Sequence, residues 1–169
     1  MELRDINKTV YKKRLNRLQG SMVVALFVLG LGLAELYRFL WANGESSTFL
    51  NAAGVATALI LVGGAVYRIR HQPWMSDIVY MWRLKQELNR IYRRSARLEK
   101  ALAENQYEAL CAQYFSLHGS RHLYVTEDNT LTLPELDEKI AAFDERLQSL
   151  GMTISIDDYE PSMLDRLVK

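Results

Sequence analysis

Two apolar runs constrain this chain more than any other feature. Ser21 to Trp41 reads SMVVALFVLGLGLAELYRFLW, and Phe49 to Tyr67 reads FLNAAGVATALILVGGAVY. A helix needs about 20 mostly apolar residues to cross the hydrocarbon core of a bilayer, and both runs reach that length. The second carries no charged residue. A soluble fold would have to bury two helices that are apolar on every side. A chain of 169 residues has too little other apolar surface to cover them. The two runs therefore read as membrane spans. The first is not a cleaved signal, because a signal's apolar region is shorter and its charged leader is not some 20 residues long.

Flanking charge sets the expected orientation. Arg4, Lys8, Lys12, Lys13, Arg14 and Arg17 precede the first run, and Arg68 and Arg70 follow the second. The loop between the runs has no Lys or Arg. The positive-inside rule then puts both termini in the cytoplasm. Tyr37 and Trp41 fall at the outer interface, and Tyr67 and Trp74 at the inner one, as aromatic anchors do. Lys12, Lys13, Arg14, Arg17, Arg68 and Arg70 are the expected contacts to anionic lipid headgroups. Leu3, Ile6, Val10, Tyr11, Leu15 and Leu18 recur at helical spacing among these basic residues, the pattern of an amphipathic interfacial helix.

The expected fold class is an all-α membrane protein: a transmembrane helical hairpin followed by a mostly helical cytoplasmic domain with a long juxtamembrane helix. The segments are a basic amphipathic stretch over 1–20, spans over 21–41 and 49–69, an extracytoplasmic loop over 42–48, and a cytoplasmic domain over 70–169.

Within the spans, small residues mark where helix backbones can approach. They are Gly30 and Gly32 on the first, and Ala52, Gly54, Ala56, Ala58, Gly63 and Gly64 on the second. Ala52/Ala56 and Gly54/Ala58 are small-xxx-small pairs, which serve packing within the hairpin, a homo-oligomer, or another membrane protein. Glu35 and Arg38 share a helix face near the end of the first span, where charged side chains can snorkel outward and pair. An ion path lined by Glu35, Arg38 and Asn51 in an oligomer is the transport alternative, since ionisable groups in a span often mark one.

Charge divides the rest of the chain. Residues 1–100 carry 16 Lys/Arg against 7 Asp/Glu, a net of +9. Residues 101–169 carry 5 against 13, a net of −8. Arg83 to Lys100 alone holds seven basic residues and two Glu. Beside a span, such a helix is expected to meet anionic lipid or pair with the acidic half. Nucleic acid is not expected, because no nucleic-acid motif accompanies the charge.

From Met81, the positions Met81, Leu84, Leu88, Ile91, Ser95, Leu98, Leu102 and Asn105 repeat with heptad spacing. Glu104-Asn105 reads as a bend, and Tyr107, Leu110, Cys111, Tyr114 and Phe115 give a second apolar stripe, so an antiparallel helical hairpin is expected. Trp82, Leu84, Leu88, Ile91, Tyr92 and Leu98 are the residues of a helix seam or a partner surface. Leu123 to Leu133 is expected to be a loop, and Thr132-Leu133-Pro134-Glu135 a capping box opening a helix that stops at Gly151. A short strand over Thr153 to Ile156 and a terminal helix with Met163, Leu164 and Leu167 complete the reading.

No phosphate loop, dinucleotide fingerprint, zinc-protease motif or paired-Cys motif is present, so no catalytic residue and no cofactor is assigned. One Cys excludes a disulfide scaffold. Cys111, His118 and His122 have spacings of seven and four, which one helix face could present. A zinc site needs a fourth group, and Gly119-Ser120 is expected to interrupt the helix, so no metal is assigned.

Several strings together resemble a known family. They are Ile6-Asn7-Lys8 with Tyr11, Pro73 followed by Trp82-Arg83-Leu84-Lys85-Gln86, then Leu88-Asn89 and Ile91-Tyr92-Arg93, and later Gly119-Ser120-Arg121 and Asp128-Asn129-Thr130. Over most of its length the chain resembles an uncharacterised bacterial inner-membrane family, chiefly gammaproteobacterial, known only as a domain of unknown function. The resemblance implies the inner membrane and transfers no activity. The function expected on all these grounds is that of a non-enzymatic adaptor, assembly or regulatory subunit.

Overall fold

A computed structural model describes residues 3–45 and 47–167; Met1, Glu2, Ser46, Val168 and Lys169, at the edges of the expected segments, lie outside it. Among the described residues the regular structure is entirely helical. The helices are α1 (Lys8–Trp41), α2 (Thr48–Ile69), α3 (Ser76–Tyr92), α4 (Ser95–Ala103), α5 (Tyr107–Glu127), α6 (Leu133–Ser149) and α7 (Met163–Arg166), with single 3₁₀ turns at Pro73–Met75 and Ile156–Asp158. The chain forms two compact units: Thr9–Val79, and residues 1–8 together with 80–169.

The Thr9–Val79 unit is built on a helical hairpin. α1 is one unbroken helix of 34 residues, so the basic amphipathic segment from Lys8 and the first apolar run share it. At 1.5 Å per residue it is about 51 Å long, and α2 about 33 Å. Both are long and apolar enough to cross a membrane. α1 stops because Asn43 (φ 46°) and Gly44 (φ 86°) enter the left-handed region. The amides of Ala42 and Gly44 then donate back to the Arg38 carbonyl at 2.9 and 3.1 Å, satisfying a carbonyl that would otherwise lack a partner. Ser47 restarts the chain as an N-cap, its hydroxyl accepting from the Leu50 amide at 3.4 Å.

The second unit is centred on α5, which packs against α4, α6 and α7. Its buried residues include Ala109, Leu110, Cys111, Ala112, Phe115, Leu117 and Gly119, a core on most sides of one helix. Leu84 and Leu88 of α3 lie on α5 at Gly119, where an added Cβ would stand 3.1 Å from Leu88 Cδ2 and 3.4 Å from Leu84 Cδ1. Asn105 (φ 54°) makes the turn from α4 to α5, and Arg146 of α6 pins it by donating to the Leu102 carbonyl and, at 2.7 Å, to Asn105 Oδ1. Tyr159 stacks on Phe115 (centroids 4.5 Å apart, 22° between planes), and its hydroxyl donates to Glu87 Oε1 at 2.6 Å. Arg4 closes on the same unit: its amide donates to the Tyr80 hydroxyl at 3.0 Å, and its guanidinium lies 5.7 Å from the Tyr80 ring centroid.

The structure corrects five sequence expectations. The long juxtamembrane helix is interrupted at Arg93-Arg94, giving α3 and α4. Leu123 to Glu127 is helical rather than a loop, because α5 continues to an αL cap at Asp128 (φ 60°), whose amide donates to the Tyr124 carbonyl. Gly119-Ser120 does not break α5, because the missing side chain admits Leu84 and Leu88. Thr132 forms no capping box: it sits in the right-handed helical region, and its hydroxyl caps no amide. The capping box lies instead at Ser155 and Asp158, where a strand was expected.

Candidate functional site

Three regions carry the residues singled out in the sequence. Among the hairpin's glycines, Gly54 lies closest to the other helix. A Cβ built there would stand 2.5 Å from the Ala34 nitrogen and 2.7 Å from its Cα, so the two backbones nearly touch. Ala58 is buried on the same side of α2, and Gly30 faces Val55 Cγ2 at 3.9 Å. Ala52, Ala56, Gly63 and Gly64 are exposed, and Gly32 has open space where a side chain would be. The structure therefore separates the two small-residue pairs: Gly54/Ala58 faces α1, and Ala52/Ala56 faces away. Ala34 was missed because alanine is common in spans, and the sequence does not say which small residue meets which.

A hydrogen bond adds to this contact, with Tyr37 Oη 3.1 Å from Thr57 Oγ1 and Thr57 Oγ1 donating to the Ala53 carbonyl at 2.9 Å. Glu35 and Arg38 pair with each other. Trp41 packs edge-on against Tyr37 at 5.3 Å. Toward the opposite end, side chains of both helices line an apolar groove of about 270 Å³, among them Leu18, Met22, Leu61 and Ala65.

The expected lipid contacts divide as well. Lys13, Arg17 and Arg68 are exposed and Lys12 is half-buried. Arg14 donates to Asp77 at 3.3 Å and to the Trp74 carbonyl at 3.5 Å. Arg70 donates to His71 at 3.0 Å and stacks 3.7 Å from the Tyr67 ring centroid.

The expected seam on α3 and α4 divides into two faces. Leu84 (0% exposed), Ile91 and Leu98 are buried in the core of the second unit, and Leu88 is half-buried against Gly119. Trp82 is 61% exposed and Tyr92 76% exposed. These two aromatics therefore stand outside the core of the unit. The basic residues of the same stretch are partly neutralised from the acidic half. Lys85 pairs with Glu127 at 2.6 Å, and Asp165 of α7 receives both Arg90 (3.1 Å) and Arg94 (2.7 Å). Arg83, Arg93, Arg97 and Lys100 have no ion pair among the described residues.

Cys111 is fully buried, and burial raises its thiol pKa, so it has the character of a core residue and not of an activated nucleophile. Burial lowers the pKa of His118 and His122, which favours neutral imidazoles. Their Nε2 atoms are buried without a hydrogen-bond partner. Tyr114 lies 4.2 Å from the His118 ring, and Tyr80 lies 6.2 Å from that of His122. No group of three or more metal-ligating side chains occurs among the described residues.

No curated protein and no solved structure matches the chain. The model of the family described as "Protein of unknown function (DUF3087)" matches residues 1–164, so the chain belongs to the DUF3087 family.

Proposed function

We propose that this protein is a two-span subunit of the bacterial inner membrane, with both termini in the cytoplasm. Its non-enzymatic role is to dock a partner through the cytoplasmic helical unit. The observation that carries the reading is the exposure of the apolar helices. Only 6% of the most apolar stretch of α1 and 17% of that of α2 is buried. A core helix of a soluble protein would be mostly covered, and uncovered apolar surface of this extent calls for lipid. Within the hairpin, backbone amides and carbonyls are satisfied inside the helices, as hydrocarbon requires.

The flanking charge supports the orientation: Lys13, Arg17 and Arg68 would meet anionic headgroups on the cytoplasmic side, and the 42–48 loop would lie outside. Ala52 and Ala56, on the outer side of α2, are where a span from a second copy or another membrane protein would approach most closely. Trp82 and Tyr92 are the anchors of the docking face, because exposed aromatics beside arginine are the residue types that dominate interface energetics.

The test is purification of the tagged full-length protein from native membranes in mild detergent, beside a Trp82→Ala variant. The reading expects a stoichiometric partner with the wild type, its loss with Trp82→Ala, and an unchanged unfolding midpoint. A partner retained by Trp82→Ala contradicts the assigned face.

A further inference from the structure

We infer that the apolar groove of the α1–α2 hairpin is a site for one acyl chain of an anionic phospholipid, with Arg17 and Arg68 holding its phosphate. The inference rests on the proposal that both helices cross the membrane, and it names the lipid selected at their cytoplasmic end. The groove has a floor and two lips. Leu18 and Val62, 9% and 7% exposed, form the floor. Ser21 of α1 and Leu61 and Ala65 of α2 line it from exposed positions at the edges. The lining runs from Leu18 to Leu29 on α1 and from Leu61 to Ile69 on α2. At 1.5 Å per residue these stretches are about 16 and 12 Å long. Half of a hydrocarbon core is about 15 Å. The groove therefore has the length of one leaflet's acyl chain, whereas a span from another protein would follow the hairpin through both leaflets. Its width points the same way. A single turn of helix, about 10 Å across and about 5.4 Å high, fills roughly 400 Å³. The whole groove holds about 270 Å³.

Charge at the mouth selects the headgroup. Arg17 stands one turn before Ser21, and Arg68 one turn after Ala65 and two after Leu61, so each arginine continues the exposed lip of its own helix. Both are exposed, and neither has an ion pair among the described residues. The neighbouring arginines are engaged within the chain. Arg14 donates to Asp77 and the Trp74 carbonyl, and Arg70 to His71 while it stacks on Tyr67. A solvated basic flank accounts for Arg17 and Arg68 taken alone. It does not account for an apolar groove whose two lips lead to them. Groove and charges together fit a molecule with an apolar chain and an anionic head, and guanidinium forks match the oxygens of a phosphodiester.

The experiment places the full-length protein in phosphatidylcholine nanodiscs and follows thermal unfolding as the mole fraction of phosphatidylglycerol rises at fixed ionic strength. Ala65→Phe fills the groove from an exposed lip. Val24→Phe adds similar bulk at a position that is 63% exposed and outside the lining. A double variant, Arg17→Gln with Arg68→Gln, removes the charges. The expected result is a saturable rise in midpoint for the wild type and Val24→Phe. Ala65→Phe and the double variant should each need at least about tenfold more phosphatidylglycerol for half the rise. If Ala65→Phe does not fold, Ser21→Phe fills the groove from the opposite lip. A rise that does not saturate, or that is equal in all the proteins, is bulk lipid only and overturns the inference. A loss confined to the double variant leaves surface charge alone and overturns the groove; a loss confined to the groove variants overturns the arginines' role. Alkaline carbonate extraction of native membranes separates this inference from the reading beneath it. Release of the protein defeats the membrane reading itself, whereas retention without a saturable response defeats the lipid site alone.

Discussion

Gly54 lies directly against the backbone of Ala34: a β-carbon at residue 54 would stand 2.5 Å from the Ala34 nitrogen and 3.0 Å from the Ala34 Cβ. The atoms in the way are mainly backbone and cannot rotate aside. Gly54→Ala should therefore push the two helices apart, at a cost of about 1–3 kcal/mol, typical of overpacking. Gly63→Ala, with nothing within 4 Å of the added carbon, should be neutral or slightly stabilising through helix propensity. Thermal unfolding of the two variants in mild detergent checks the contrast, and equal behaviour would contradict the assigned contact.

The two faces of α3 predict opposite outcomes for neighbouring residues. Leu84 is fully buried, so Leu84→Ala should destabilise the helical unit by about 2–5 kcal/mol. Trp82 is mostly exposed, and Trp82→Ala should change stability by no more than about 0.5 kcal/mol. Urea unfolding followed by the α-helical circular dichroism signal measures both.

Acid should weaken the helical unit through its histidines. Burial lowers the pKa of His118 and His122 below that of the unfolded chain, against opposing attraction from Asp144 at His118 and Asp5 at His122. Nearby Arg121 lowers His118 further. The unfolded state then binds more protons than the folded state in the window between the two pKa values. Stability is complete above about pH 6.5, the unfolded value, and falls as pH drops below it. Urea midpoints from pH 8 to pH 5 should decline, and a His118→Asn, His122→Asn double variant should flatten the decline. A profile with the same slope in wild type and variant contradicts this assignment.

Tyr159 ties the chain's last segment to α3. Its buried hydroxyl donates to Glu87, whose side chain is 14% exposed, and burial together with that carboxylate pushes the phenol pKa well up. Tyr159→Phe keeps the stacking on Phe115 but leaves the carboxylate short of a donor. It should cost about 1.5–3 kcal/mol, the range for a hydrogen bond to a charged group, in a urea titration near pH 7.

Sequence patterning exposes the hairpin because length and unbroken apolarity are local properties, and helicity follows from them. The stop at Asn43-Gly44 and the turn at Asn105 are legible for the same reason: residues that tolerate positive φ stand there. Packing is what the pattern hides. The heptad through Met81 to Asn105 runs across Arg93-Arg94 without a signal, yet the helix breaks there, because the buried positions continue on both sides of the interruption. Gly119 reads as a breaker, and its actual use is to admit two leucines. Spacing alone cannot separate Ala52/Ala56 from Gly54/Ala58, since either pair could face α1. Nor could it find Asp165 as the partner of Arg90 and Arg94, more than seventy residues away.

The central claim is that α1 and α2 cross the membrane with the 42–48 loop outside and the helical unit inside. It is tested most directly by labelling single cysteines with a membrane-impermeant maleimide in spheroplasts, in a Cys111→Ala background. The account predicts that Glu45→Cys labels in intact spheroplasts and that Arg97→Cys labels only after permeabilisation. Labelling of Arg97→Cys from outside, protection of Glu45→Cys until lysis, or release of the protein from membranes by alkaline carbonate would contradict it.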